Sequence, residues 1–349
     1  MTTATAPLDF ELPQELEARV PPESRGRGRD DVRLLVSRGA AEPAHACFRD
    51  LPTLLEAGDL LVINTSATLP AALAGRLDGS DVELHLSGRL QGGDWLAELR
   101  RPARPASLPE PGGQKGDVVS LPGGGLARLV TRWRGSARLW VVAMDLPVSE
   151  LAFLQAHGRP IRYGHVPNDW PLATYQTVYA IEPGSAEMPS AGRAFTSDII
   201  TGLVARGISV SPLVLHAGVS SLEVGEPPPP EWYQVPVATA RRVNDTRAAG
   251  GRVVAVGTTV VRALETVVDD EGLVREGVGW TETVVTPDRP VRAVDGLLTG
   301  WHEPRASHLL ILQAIAEPFA LESAYQTALD SGYLWHELGD LHLILPASR

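Results

Sequence analysis

A single cysteine, Cys47, is all the thiol in this 349-residue chain. No internal disulfide can form, and the composition suits a reducing cytoplasm. A lone thiol of this kind is expected to be a small buried apolar residue. The opening MTTATAPLDFELP has neither a basic nor an apolar leader region, so no secretory signal is expected there. No apolar run approaches the ~18 residues of a spanning helix, so no membrane contact is expected. A Gly-x-Ser-x-Gly elbow, a Cys-x-x-Cys pair and an internal repeat are all missing. HELGDLH (336–342) has its histidines six apart with Gly339 between them, which does not fit helical metal ligands. LPGGGLA (121–127) lacks the lysine of a phosphate loop and reads as a turn. No metal or resident cofactor is expected.

What is present is a globular composition with 44% hydrophobic and 21% charged residues, enough for roughly two domains. The net charge of −11 argues against a protein that coats nucleic acid. Arginines do cluster, at Arg25, Arg27, Arg29 and Arg33, at Arg100, Arg101 and Arg104, and at Arg128, Arg132, Arg134 and Arg138. Solvated surface or local pairing is the plain reading of such clusters, and contact with a polyanion is the sharper one.

DLLVIN (59–64) reads as a short buried strand. Between Ala72 and Asp145, short runs rich in valine, leucine and tryptophan alternate with Gly, Pro, Ser and Asp. That texture predicts a small antiparallel barrel or sandwich, with RGSA (134–137) as a hairpin turn. After residue 150 the period lengthens. TSDIITGLVARG predicts a helix, ISVSPLVLHAG a strand, EWYQVPVATARRVNDTRAAGG a helix, and RVVAVG a strand. A helix over Val260–Val268, the strand VRAVDGLLT, the helices ASHLLILQAIAEPF and LESAYQTALDSG, and DLHLIL follow. Alternating strands and helices imply an α/β domain formed by residues 1–71 and 151–349, with a β-barrel inserted at 72–150. GEPPPPEW (225–232) reads as a stiff surface loop.

VVAVGTTVVRALET (253–266) carries the clearest chemistry. A strand, Gly257, two threonines and a helix start make a cradle of backbone N–H groups suited to an anion. Arg262 lies in the first turn, where the helix dipole disfavours a cation. It is expected to help hold an anion, with Glu265 orienting it. A capped helix with a surface ion pair is the bland alternative.

The chain resembles, from end to end, the S-adenosylmethionine:tRNA ribosyltransferase-isomerases of queuosine biosynthesis. The likeness rests on LDFELPQELEA (8–18), RDDVRLLV (29–36), AGDLLVIN (57–64), YQTVYA (175–180), PSAGRAF (189–195), LHAG (215–218), AVGTTVVRALE (255–265), TGWHEP (299–304) and YLWHELGDLHLI (333–344). The resemblance implies an α/β domain with an inserted barrel. It also implies S-adenosylmethionine as a ribosyl donor, a co-substrate rather than a cofactor. Loss of a proton beside the sulfonium opens the ribose and expels adenine. The aminomethyl group of a 7-deazaguanine in tRNA then attacks, methionine leaves, and an epoxycyclopentanediol remains.

Several positions depart from the family pattern. Ala67 and Ala72 stand where it has arginines, Ala194 where it has histidine, Gly300 where it has asparagine, and Arg305 where it has glutamate. Of a two-histidine stretch before a glutamate only Glu231 is kept. These departures set a 7-deazaguanine in tRNA against a different acceptor, and an enzyme against a non-catalytic nucleoside- or RNA-binding protein. Within the resemblance, Thr258, Thr259 and Arg262 are expected to bind the methionine carboxylate or a phosphate, and Glu265 to orient Arg262 or pair with an ammonium. His216, at a strand's carboxyl end, is the first candidate base, Glu231 the second, and His302 a ligand-orienting histidine. Ser190, Gly192, Arg193, Tyr175 and Gln176 are candidate lining residues. Trp170, Trp232 and Trp301 are aromatic surfaces that could stack a ring. A monomer in the cytoplasm is expected.

Overall fold

Four segments of the sequence are buried along their whole length and, Asn64, Thr299 and His342 apart, apolar: Leu60–Asn64, Val253–Val256, Gly296–Gly300 and Leu341–Leu345. Strands of that kind need cover on both faces. The computed structural model, which describes residues 6–103, 106–110, 112–219, 228–289 and 291–347, places all four in one mixed nine-stranded sheet. The spatial order is Gly277–Thr281, Glu231–Val235, Ser209–Leu215, Leu60–Asn64, Val253–Val256, Gly296–Gly300, Leu341–Leu345, Arg33–Arg38 and Ala44–Cys47. The four strands from Ser209–Leu215 to Gly296–Gly300 run parallel, and Gly296–Gly300 pairs antiparallel with Leu341–Leu345.

Alternation along these strands feeds two cores. Leu60, Val62, Val253, Ala255 and Leu297 pack against residues of helices Val237–Ala248, Thr258–Val267, His308–Ile315 and Pro318–Asp330. Leu61, Ile63, Val254, Val256 and Leu298 pack against Phe48, Leu51 and helix Ser197–Ala205. Thr196 caps that last helix by accepting from the Ile199 amide at 3.3 Å.

The barrel is closed by six antiparallel strands. Ala72–Leu77, Ser80–Arg89, Trp95–Arg101, Val118–Ser120, Leu126–Arg132 and Leu139–Asp145 form the ring, and Leu139–Asp145 pairs with Trp95–Arg101 to close it. The hairpin turn expected at RGSA is there, with Arg134 and Gly135 both left-handed at φ 45° and 78°. LPGGGLA forms the turn between two barrel strands. Helix Glu150–His157 buries Phe153 and Leu154 in the barrel core. Gly158–Arg159 then pairs with Ala72 and Leu73 before the chain returns to the sheet. A Cβ at Gly158 would stand 2.0 Å from the Pro70 carbonyl oxygen, so only glycine fits the crossing.

The structure revises four details. Residues 231–251 hold a strand, Glu231–Val235, before the helix, which starts at Val237 after Pro236. The helix expected over ASHLLILQAIAEPF breaks at Ala316, which is extended, and a new helix begins on Pro318. The edge strands Ala44–Cys47 and Gly277–Thr281 have partly exposed, weakly patterned sequences that periodicity alone does not reveal. Cys47 is half-buried rather than enclosed, and its thiol donates to the Val32 carbonyl at 3.5 Å. Of the polyproline stretch, residues 225–227 lie outside the described residues, as does Arg104. Among the described residues no helix is long and apolar enough to cross a membrane.

Asp59 and Arg252 join the starts of two neighbouring parallel strands. Arg252 Nε donates to Asp59 Oδ1 at 3.0 Å, and both side chains are buried. Burial would raise the Asp59 pKa, but hydrogen bonds from Arg252 and the Glu56 amide hold it below the ordinary carboxylate value. Removing one member of such a pair strands a buried charge. Asp59→Ala is expected to cost about 3–5 kcal/mol in urea unfolding followed by tryptophan fluorescence. A loss under ~1 kcal/mol, the worth of an exposed pair, would contradict this account.

Candidate active site

Parallel strands present their carboxyl ends along one edge, and Asn64 ends the strand between Ser209–Leu215 and Val253–Val256. Beyond it the main chain turns away toward the barrel, pairing Ser66–Thr68 with Glu182–Ser185. The Asn64 side chain continues the ladder in the backbone's place. Its Nδ2 donates to the Leu215 carbonyl at 2.8 Å and its Oδ1 accepts from the Leu215 amide at 3.0 Å. The same Oδ1 accepts from the Ser66 amide, and Nδ2 reaches Thr259 Oγ1 at 3.3 Å. One buried amide thus fixes three segments.

His216 follows directly. Its Nδ1 is 2.8 Å from Ser66 Oγ, which is 2.6 Å from Ser185 Oγ, itself the acceptor of the Ala217 amide. The ring stacks on Trp232 at 4.9 Å and 23°. Its other surface is crowded by Gly184, where a Cβ would lie 2.4 Å from ring atoms. Burial depresses the imidazole pKa to about 4, so it is neutral near pH 7.

Arg262 has a partner, but not the expected one. Its Nη1 donates to Glu231, and its Nε donates to the Thr283 carbonyl at 3.1 Å. Glu231 Oε1 accepts from the Gly218 amide at 2.9 Å. Arg262 Nη2 is buried without a hydrogen-bond partner. Glu265 does not orient Arg262. It is buried, and its Oε1 accepts from the Arg292 and Ala293 amides at 2.9 and 2.8 Å. The i, i+3 spacing is helical, but Glu265 lies on the side of the helix that packs into the protein, next to the buried Leu264 and Val261. The start of the helix is capped by Gly257 (φ 93°) with no hydroxyl cap, while Thr258 is buried and Thr259 meets Asn64. The Val260 and Val261 amides donate to the Gly257 carbonyl at 3.1 and 3.5 Å, which leaves the Thr258 and Thr259 amides as the open first-turn donors.

Three adjoining cavities, which share wall residues, run along the seam between barrel and sheet. One of about 260 Å³ is lined by His216, Trp232, Glu231, Trp95, Leu69 and Gly184. Glu231, Pro230 and Gly88 are shared with a second, of about 100 Å³, which contains Arg262, Ser87 and Thr283. Val219 and His308 are shared in turn with a third, of about 300 Å³, which holds His302, Ser190, His165, His336 and Glu337. The seam is closed at one point by Ser87 of the barrel, whose Oγ accepts from the Val219 amide at 3.0 Å.

The remaining candidates divide. His302 lines the third cavity, with Nε2 2.9 Å from Thr299 Oγ1 and its ring on His308 at 4.9 Å. Ser190 lines it too, and Gly192 lets Tyr179 approach, since a Cβ would lie 2.1 Å from its hydroxyl. Arg193 is buried and committed, donating to Glu23 at 2.9 Å and to the Thr174 carbonyl at 2.9 Å. Gln176 clamps Thr68 with paired hydrogen bonds of 3.0 and 2.8 Å, and the Tyr175 carbonyl accepts from Thr68 Oγ1. Tyr175 and Gln176 brace the segment beside the site and line none of the three cavities, while Arg193 lines a small cavity of about 10 Å³ that shares Ser190, Gly300, His336 and Glu337 with the third. Trp301 is buried in the core, stacked on His342 at 4.8 Å, and also lines the third cavity, whereas Trp170 is half-buried and packs against a small satellite cluster away from the three cavities. Ala194 packs in the core with Phe195, and Arg305 pairs with Asp9 on the surface at 3.5 Å. His165, His308, Glu303 and Glu337 were not singled out from the sequence. Each is isolated in a loop or at a helix start, and only the barrel's closure against the sheet brings them together. Among the described residues no group of His, Cys, Asp and Glu could hold a metal ion.

The family model described as "Queuosine biosynthesis protein" matches residues 5–344. An S-adenosylmethionine:tRNA ribosyltransferase-isomerase of Natranaerobius thermophilus is 34% identical over 97% of this chain and 98% of its own. The enzyme of that name from Symbiobacterium thermophilum is 36% identical over 97% and 98%. The crystal structure of S-adenosylmethionine tRNA ribosyltransferase from Thermotoga maritima superposes with a TM-score of 0.54 at 30% identity, covering 97% of this chain and 99% of that one.

Burial also lowers the pKa of His336 to about 4 and of His342 to about 3, as it does that of His216. In the unfolded chain each binds its proton near its ordinary value of about 6.5. Between about pH 6.5 and 4 the unfolded state therefore holds more protons, and stability falls as the pH drops through that window. The slope is about 1.4 kcal/mol per pH unit for each such histidine. The melting temperature is expected to be flat from pH 8 to 7 and to decline steadily toward pH 5. A flat profile down to pH 5 would show that these imidazoles protonate freely in the folded state.

Proposed function

Since the chain belongs to the S-adenosylmethionine:tRNA ribosyltransferase-isomerase family of queuosine biosynthesis, we propose that the seam between barrel and sheet carries out the reaction for which that family is named. S-adenosylmethionine is the ribosyl donor, and the aminomethyl group of a 7-deazaguanine in tRNA is the acceptor nucleophile, in the cytoplasm. The observation that carries the reading is the Arg262–Glu231 pair beside the amino end of helix Thr258–Val267, between two cavities.

An amino-acid tail is a carboxylate and an ammonium on one carbon. Arg262, with a buried Nη2 unused, suits the carboxylate. Glu231, already between Arg262 and the Gly218 amide, suits the ammonium. The task given to Glu265 by the sequence thus passes to Glu231, and that moves Glu231 from candidate base to donor anchor. His216 is then the base. With Nδ1–H donated to Ser66, Nε2 carries the lone pair and takes the proton from the carbon beside sulfur. A group with so low a pKa is a weak base. Once protonated it is correspondingly a strong acid, able to return the proton to departing adenine. The sulfonium supplies the carbon acidity, and Glu231, lining the same cavity, offsets the imidazolium charge.

The protein is expected to release adenine and methionine from S-adenosylmethionine when supplied with tRNA bearing the aminomethyl base. Arg262→Ala should raise the donor KM by about 10–100-fold, the worth of a charged hydrogen bond. His216→Ala should lower kcat by about 100-fold or more while the donor Kd stays constant. Donor binding with no adenine release would instead indicate a nucleoside-binding protein, a reading that family membership does not favour.

A further inference from the structure

The third cavity holds polar groups that donor binding leaves unused. Its wall is a stack of three rings, Tyr163 with His165 at 5.7 Å and 17°, and His165 with His336 at 4.1 Å and 20°. Nε2 of His165, Nε2 of His336 and Oε2 of Glu337 are buried without hydrogen-bond partners. His165 and Glu337 approach to 3.4 Å, too far and too poorly aligned to satisfy each other fully. His336 has a left-handed backbone at φ 72°, a strained conformation for a residue with a side chain. Orphaned buried polar atoms cost about 1–3 kcal/mol each and call for a partner.

The charge of this cleft selects the partner. Its two guanidinium groups are committed, Arg100 to Glu98 and Ser107 and Arg162 to Asp169. Glu303 lies 3.9 Å from His336 Nδ1, Glu17 lies 4.0 Å from its Nε2, and Glu337 is the next residue. Burial lowers the His336 pKa to about 4, so the imidazole does not neutralise these carboxylates near pH 7. Such a site suits a flat ring that donates several N–H bonds and carries a positive amine. A 7-deazaguanine offers both, with adjacent N–H and NH2 donors on one edge and an aminomethyl ammonium on the other. The cleft also adjoins the cavity of Arg262 through Val219 and His308, as the second substrate of a transfer reaction requires.

We infer that this cleft is the acceptor subsite, where the base lies against the Tyr163–His165–His336 stack, Glu337 accepts from its aminomethyl ammonium and Glu303 accepts from its ring N–H groups. The inference rests on the proposed function and assigns the place of its second substrate. It is tested by calorimetry with the free 7-aminomethyl-7-deazaguanine base and with the analogue bearing methyl in place of aminomethyl. Wild-type protein is expected to bind the aminomethyl base, and Glu337→Gln to weaken it about tenfold or more. The wild type should lose a similar factor against the methyl analogue, and the two losses should not add, because they remove one interaction. S-adenosylmethionine affinity and the melting temperature of Glu337→Gln should stay near the wild-type values. A stem-loop carrying the base should show the same dependence on Glu337 if RNA delivers it to this cleft. Equal binding of both bases by the wild type, undiminished base affinity in Glu337→Gln, or a loss of donor affinity instead would overturn the assignment. Adenine release by wild-type protein is read separately. Release with unchanged base affinity in Glu337→Gln leaves the proposed function standing, and no release removes the proposed function itself.

Discussion

Everything at the candidate site hangs on the Asn64 amide. A parallel sheet cannot send one of its central strands out into a separate barrel without exposing the ladder where the chain departs. Asn64 closes that gap with four hydrogen bonds, to both backbone groups of Leu215, to the Ser66 amide and to Thr259. No smaller or apolar side chain has two donors and an acceptor in that arrangement. The bond to Leu215 sets where His216 emerges, the bond to Ser66 sets its Nδ1 partner, and the bond to Thr259 registers the first turn that leads to Arg262.

From that point the barrel acts as the lid of the sheet's carboxyl edge. The site is not a pocket within either unit but the seam between them. Ser87 and Gly88 of a barrel strand meet Gly218, Val219 and Glu231 of the sheet. Low exposure along the seam strengthens each charge pair and depresses the imidazoles of His216, His302, His308 and His336, which serve there as neutral donors and acceptors. A cationic donor and an amine acceptor are both well matched to a seam whose uncommitted charges are carboxylates.

The scaffold was largely legible in the sequence because it rests on local pattern. The buried runs at 60–64, 253–256 and 341–345 are apolar but for Asn64 and His342, and the barrel's frequent turns mark its strands. Gly257 and the strand-to-helix turn were likewise visible, but Arg262, expected in the first turn, is the fifth residue of a helix that starts at Thr258 and so lies past the turn where the dipole disfavours a cation. Its partner was not visible. Sequence spacing favours Glu265, three residues on, whereas the structure uses Glu231, thirty-one residues back and on a neighbouring strand. The same limit hid the Tyr163–His165–His336 stack, since only tertiary closure brings His336 onto the neighbouring pair Tyr163 and His165. Tyr175 and Gln176 show the converse: their motif looks like site lining, yet their hydrogen bonds brace Thr68.

The most direct test is a crystal structure of the protein with S-adenosylmethionine bound. The account predicts the methionine carboxylate on Arg262, the ammonium on Glu231, and His216 Nε2 next to the carbon beside sulfur. An Arg262–Glu231 pair left intact, with the nucleoside bound elsewhere, would contradict it.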